Sequence, residues 1–152
     1  MAMIEIDGLA KSFGPVAAVR GVTLSVDKGE VLGFLGPNGA GKSTTMKMLT
    51  GFLTPSEGAA RICGYDVQSD PLPAQRLLGY LPEGAPAYGD MTPRGFLAFC
   101  AGVRGLTGEA ARSAVERVVT RTELARVLDQ PIETLSKGFK RRVGLAQAIL
   151  HD

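Results

Sequence analysis

Near the start of the chain Ile4 and Ile6 alternate with polar neighbours, and Val22, Leu24 and Val26 do the same before the turn Asp27-Lys28-Gly29. A period of two marks a strand with one face on a core and the other in water, so both segments predict half-exposed strands of an antiparallel pair. Val31-Leu32-Gly33-Phe34-Leu35 is instead apolar throughout. That pattern predicts a strand covered on both faces, as in a largely parallel sheet. Residues 43–50 place Met46 and Leu49 on one side and stop at Gly51, which predicts a short helix whose methionines are core packing.

Beyond it the pattern predicts a loop at Pro55 and Gly58, a strand near residues 60–63, a short helix near 72–78 and another apolar strand at Leu78-Gly79-Tyr80-Leu81. At Thr92-Pro93 the character changes. Threonine at the N-cap followed by proline in the first helical position opens a helix running through Phe96, Phe99 and Val103. A second helix, about 108–122, carries Ala111, Val115, Val118 and Val119 at helical spacing. No internal repeat, low-complexity stretch or long linker interrupts the chain, so one helical subdomain is expected at about 90–134.

With 152 residues the chain is one domain or part of one. Its 45% hydrophobic and 21% charged content is that of a globular protein, not a disordered one. A net charge of +2 is too small to argue for nucleic acid or an anionic membrane, so no nucleic-acid partner is expected. Cys63 and Cys100 have no CxxC partner and sit among apolar residues, which predicts buried, reduced core side chains in a cytosolic setting. No leader and no apolar run of about 18 residues is present, so the chain is expected neither to cross a membrane nor to be exported.

The chemistry concentrates at Gly36-Pro37-Asn38-Gly39-Ala40-Gly41-Lys42-Ser43, a complete GxxxxGKS phosphate loop between a predicted strand and a predicted helix. There, successive backbone amides and a helix N-terminus converge on one anion. Glycines are needed because side chains would keep phosphate from the amides and forbid the loop's dihedrals. Lys42 would reach the β and γ phosphates, the Ser43 hydroxyl would ligate Mg²⁺, and Thr44 can add a hydroxyl or amide at the α phosphate. Gly36, Asn38, Gly39, Ala40, Gly41, Lys42, Ser43 and Thr44 are thus the candidate ATP-binding set. A phosphate loop alone does not separate the several classes of ATPase, GTPase, kinase and helicase.

Leu135-Ser136-Lys137-Gly138-Phe139 and the following Lys140-Arg141-Arg142-Val143-Gly144-Leu145-Ala146-Gln147-Ala148-Ile149-Leu150 resemble the signature motif and signature helix of ABC-transporter nucleotide-binding domains. They lie about 90 residues after the loop, behind a helical segment, as that resemblance requires. It extends over essentially the whole chain, through Gly51-Phe52-Leu53-Thr54-Pro55-Ser56-Glu57-Gly58 and Gly79-Tyr80-Leu81-Pro82-Glu83. The resemblance implies that Ser136 and the Gly138 amide contact the γ phosphate of ATP held by the loop of a second ATP-binding subunit, in a head-to-tail dimer. A plain serine N-cap on an amphipathic helix is the alternative reading of Ser136. Lys137 and Phe139 depart from the commonest LSGGQ form.

By the same resemblance Phe13, in Lys11-Ser12-Phe13-Gly14, matches the aromatic that stacks on adenine; packing of a single ring is the alternative. Glu83 occupies the place of the Q-loop glutamine, where its carboxylate would be a Mg²⁺ ligand. Glu83-Gly84-Ala85-Pro86, with Tyr88-Gly89-Asp90-Met91-Thr92, looks like the exporter-like ABC-2 group. The basic run Lys140, Arg141, Arg142 reads as a solvated helix face or as an aid to an anion site.

The family's apolar strand ending in Asp and a catalytic Glu has no counterpart before His151-Asp152, and no catalytic residue is assigned, His151 included. The expected fold is α/β: a P-loop NTPase core with an N-terminal antiparallel β subdomain and an inserted helical subdomain, the C-terminal part of the core missing. Its parts would be 1–89 (β subdomain and loop core), 90–134 (helical subdomain) and 135–152 (signature motif and helix). Function follows as the ATP-binding subunit of an ABC transporter, present as a fragment. It would be cytoplasmic and held at the inner face of the membrane by a transmembrane permease subunit. The alternative is a non-catalytic nucleotide-binding fragment or an inactive relic.

Overall fold

The computed structural model describes residues 2–85 and 87–151; Pro86 and Asp152, quoted above, lie outside them. The chain divides into two compact units, residues 1–78 and 79–152.

The first unit is a four-stranded antiparallel sheet, β1 (Ala2–Phe13), β2 (Val16–Asp27), β3 (Glu57–Ile62) and β4 (Tyr65–Asp66), in the order β2-β1-β3-β4. Two helices join it, α1 (Lys42–Leu49) and α2 (Pro71–Arg76). The alternation of Ile4, Ile6, Leu24 and Val26 is realised as register pairs Ile4 with Val26 and Ile6 with Leu24. Strand β2 starts earlier than its alternating segment, at Val16, because bulges in the β1–β2 ladder break the period there. Ile6, Leu9, Val19, Ala60 and Ile62 of the sheet bury together with Met48 and Leu49 of α1. The methionines of α1 are core packing, as their spacing predicts.

In the second unit α3 (Pro93–Val103), α4 (Gly108–Arg121) and α5 (Lys137–Ala148) enclose a core that includes Leu97, Val118, Leu124, Val143 and Leu150. Single 3₁₀ turns at Ala125–Val127 and Ile132–Thr134 link α4 to α5. Thr92 caps α3 as expected, its Oγ1 accepting from the Gly95 N–H at 3.2 Å.

Three expectations are corrected. Residues 31–35 form no strand: a strand needs a ladder partner, and no described strand runs beside them. Val31 and Leu35 are 95% and 93% exposed. Residues 78–81 form no strand either. A Cβ on Gly79 would collide with the Ala148 carbonyl, and one on Gly144 would come within 2.6 Å of Leu81 Cδ1, so residues 79–81 lie edge-on against α5 instead of in a ladder. Helix α3 runs through Phe96, Phe99 and Val103 as expected, and it buries Phe96, Leu97 and Ala101 while Phe99 and Val103 stay exposed, because its inward stripe follows 93, 96/97 and 101. Both cysteines are half-buried and unbonded, short of the full burial expected: Cys63 closes a surface turn beside Met3, and Cys100 packs at the margin of the helical core.

Candidate functional site

The Gly36–Ser43 loop leads into α1, whose N-cap is Gly41 in the left-handed region at φ 87°. Helix α1 has no side-chain cap, so its first-turn amides have no acceptor within the helix, and the positive end of its dipole is concentrated there. Gly41 is required twice over. Besides its φ, a Cβ there would strike the Ala18 carbonyl oxygen and come within 2.9 Å of Val19 Cγ2. Gly39, at φ 84°, meets nothing within 4 Å, so glycine there answers to dihedral and not to space. The Ala40 N–H closes the turn on the Pro37 carbonyl at 3.2 Å.

Lys42 folds back over the loop, its Nζ donating to the carbonyls of Gly36 at 2.6 Å and Pro37 at 2.7 Å. An ammonium on the loop's own carbonyls is positioned as a point charge at the mouth of the uncapped helix. Asn38 and Ser43 are exposed, and Thr44 is half-exposed. Thr45 is the anchor: its side chain is buried, and its N–H and Oγ1 both donate to the Gly41 carbonyl, at 2.8 and 3.0 Å. This arrangement fits an anion with several oxygens, since it offers unpaired amides, a helix N-terminus and a cation together.

Phe13 ends β1 opposite Val16 and is 51% exposed. Val16 is two residues, about 7 Å of strand, from Ala18, whose carbonyl abuts Gly41. The β1–β2 hairpin therefore carries an exposed aromatic ring to the neighbourhood of the loop. Ala18 and Val19, which back Gly41, were not among the candidate residues. The only signal for them is the apolar Val16-Ala17-Ala18-Val19 run, which does not alternate.

In the second unit Ser136 is the N-cap of α5, its Oγ accepting from the Phe139 N–H at 3.3 Å. Ser136, Lys137 and Gly138 are exposed. Phe139 is half-buried, with the Arg126 and Arg142 guanidiniums 4.7 and 5.4 Å from its ring centroid. The basic run is partly engaged: Lys140 donates to the Glu133 carbonyl at 2.8 Å, and Arg142 pairs with Glu123 at 2.6 Å. Glu83 is exposed on the turn closed by Ala85 N–H to the Pro82 carbonyl at 3.2 Å.

Among the described residues no group of three His, Cys, Asp or Glu side chains comes together to hold a metal ion. Ser43 in the first unit and Glu83 in the second each carry oxygen of a type a hard cation takes. Burial pushes the Cys100 thiol above its ordinary range, against a smaller opposing pull from Arg104. That keeps it protonated and a poor nucleophile. No helix among the described residues is long and apolar enough to cross a membrane.

The family model described as ABC transporter matches residues 19–152. The probable multidrug ABC transporter ATP-binding protein YbhF of Escherichia coli (strain K12) is 39% identical over 150 residues, covering 99% of this chain and 26% of that protein. The Nod factor export ATP-binding protein I of Burkholderia orbicola (strain AU 1054) is 36% identical over 152 residues, covering all of this chain and 50% of the relative. A solved ATP-binding subunit of an ABC transporter superposes with a TM-score of 0.87 at 31% identity, over 98% of this chain and 62% of that one. The chain thus spans about a quarter to a half of the length of these curated relatives. With the α/β P-loop NTPase fold of that neighbour and a family match over nearly its whole length, the chain belongs to the ABC transporter ATP-binding family.

Proposed function

We propose that the loop of residues 36–44 holds the triphosphate of ATP, and that this chain is the ATP-binding part of a subunit that couples ATP binding and hydrolysis to transport. The observation that carries the reading is the uncapped N-terminus of α1 on a left-handed Gly41, with Lys42 Nζ poised on the Gly36 and Pro37 carbonyls. Amides of Asn38, Gly39 and Gly41 and those opening α1 meet the phosphates, with Ala40 holding the turn that presents them; Lys42 turns its charge from the carbonyls to the β and γ oxygens; Thr44 serves the α phosphate. Phe13 offers its ring to adenine: a base-stacking platform must be exposed and near the phosphates, and Phe13 is exposed at the end of the hairpin whose Ala18 carbonyl lies against Gly41. Mg²⁺, when bound, neutralises phosphate charge, with Ser43 as its ligand and Glu83 as a second candidate.

Ser136 and the Gly138 amide present a helix N-terminus at the surface, suited to the γ phosphate of a nucleotide held by a second ATP-binding subunit. In this reading residues 1–89 form the β subdomain and loop core, 90–134 the helical subdomain and 135–152 the signature segment. The partners are that second subunit and a transmembrane permease. Export is favoured, because relatives named for multidrug transport and Nod factor export match the whole chain. The site of action would be the inner face of the membrane.

A second reading is nucleotide binding without turnover, since every role assigned above, from the amides to Lys42 and Phe13, is one of binding. One experiment addresses both. Titration of the chain with Mg-ATP in a calorimeter should give saturable binding. Lys42→Ala should weaken it about 10- to 100-fold, the range of a lost charge-assisted contact. Unchanged affinity in Lys42→Ala would refute the loop assignment. Phosphate release measured on the same samples separates the readings, since steady turnover by the chain would exclude the second.

A further inference from the structure

Residues 11 and 13 share a face of β1 by the two-residue period of a strand. The Lys11 ammonium lies 5.3 Å from the centroid of the Phe13 ring. It also donates to the Thr54 carbonyl at 2.7 Å. Two more bonds join the same segments: the Ser56 N–H to the Ala10 carbonyl at 2.9 Å, and the Ser12 N–H to Ser56 Oγ at 3.1 Å. Residues 54–56 therefore brace the end of the strand that carries the exposed ring. A surface lysine ordinarily samples many rotamers. This one is held by a fixed carbonyl, and its charge is set over one face of the ring by the attraction between a cation and the ring quadrupole.

We propose that Lys11 is a positioning residue for adenine: braced on the Thr54 carbonyl, its ammonium covers one face of the Phe13 ring, fixes the ring's orientation, and leaves the opposite face as the platform for the base. The inference rests on the reading of Phe13 as that platform. An exposed phenylalanine free to turn would lose its side-chain freedom on stacking. With Lys11 in place, much of that ordering is already done before the nucleotide arrives. The expected consequence is selective, since Lys11 should affect the part of affinity that comes from the base and not the part that comes from the phosphates.

Binding of ATP and of inorganic triphosphate to the full chain tests this, because triphosphate lacks the base. Lys11→Met keeps the apolar stem and removes the charge. It should weaken ATP about two- to fivefold and leave triphosphate unchanged. Lys11→Arg, which keeps a cation and donors, should retain most of the ATP affinity. In a Phe13→Leu background, where ATP is already weaker, Lys11→Met should change nothing further. Equal weakening of ATP and triphosphate would make Lys11 a phosphate ligand and overturn the inference. So would full additivity of Lys11→Met with Phe13→Leu, or an ATP affinity indifferent to Lys11→Met, each of which leaves the loop assignment standing. If neither ligand binds the unaltered chain, the loop assignment itself falls and the inference with it.

Discussion

Gly41 joins three demands in one residue: the dihedral that turns the loop backbone into α1, the contact with the Ala18 carbonyl, and the carbonyl that accepts from both the N–H and the hydroxyl of Thr45. Any side chain there fails on the first two. Gly41→Ala should cost about 1–3 kcal/mol of stability from the left-handed dihedral, with the Ala18 clash added. Urea titration reads that loss. Because relief of the clash must move either α1 or β2, nucleotide affinity should fall with it. Gly39→Ala is the control, with a strained dihedral and no clash, and should lose less stability. Equal losses in the two variants would show that close approach to Ala18 contributes nothing.

At the scale of elements, Ser136 separates capping from ligation. Its hydroxyl accepts from the Phe139 N–H, so Ser136→Ala should cost about 1 kcal/mol through the lost cap. Asparagine is an equally good cap, so Ser136→Asn should restore stability in thermal unfolding. If the serine only caps, the asparagine variant should also retain nucleotide-driven dimerisation, measured by sedimentation. Loss of dimerisation with stability restored is the expected outcome where the hydroxyl meets a phosphate. The loop, the caps of α3 and α5 and the limits of α4 were legible in the sequence, because each is a local signal: glycines with GKS, Thr92-Pro93, Leu135-Ser136, an apolar period of 3.6. What failed was non-local. The apolar run 31–35 carries no information about which strand lies beside it, and no described strand does. Gly79 and Gly144 look like ordinary glycines until Ala148 and Leu81 are seen against them. The sequence leaves the buried face of α3 open because Phe96 fits either of two stripes, and only contact with the core selects the one holding Leu97 and Ala101.

For the molecule as a whole, the balance between net charge and exposed apolar surface decides its behaviour in solution. Val31, Leu32 and Leu35 are exposed on the first unit, and Val31, Leu32 and Phe34 line, with Leu24, Val26 and Met46 among others, an open and mostly apolar groove of about 350 Å³ that Glu30 and Thr45 also border. An exposed apolar segment with no described strand beside it offers another chain both hydrogen bonds and hydrophobic contact. A net charge of +2 gives little repulsion to oppose this. The chain should therefore self-associate with rising concentration and bind a hydrophobic dye, both measurable by sedimentation velocity and fluorescence. The double substitution Val31→Lys and Leu35→Lys places charges at the two most exposed of the large apolar side chains described and removes little packing, since neither side chain is covered. It should lower association and dye signal together, while leaving the melting temperature within a few degrees. Dye binding that persists at full strength in the double variant would move the sticky surface elsewhere, Phe52 and Val103 being the next most exposed large apolar side chains among the described residues.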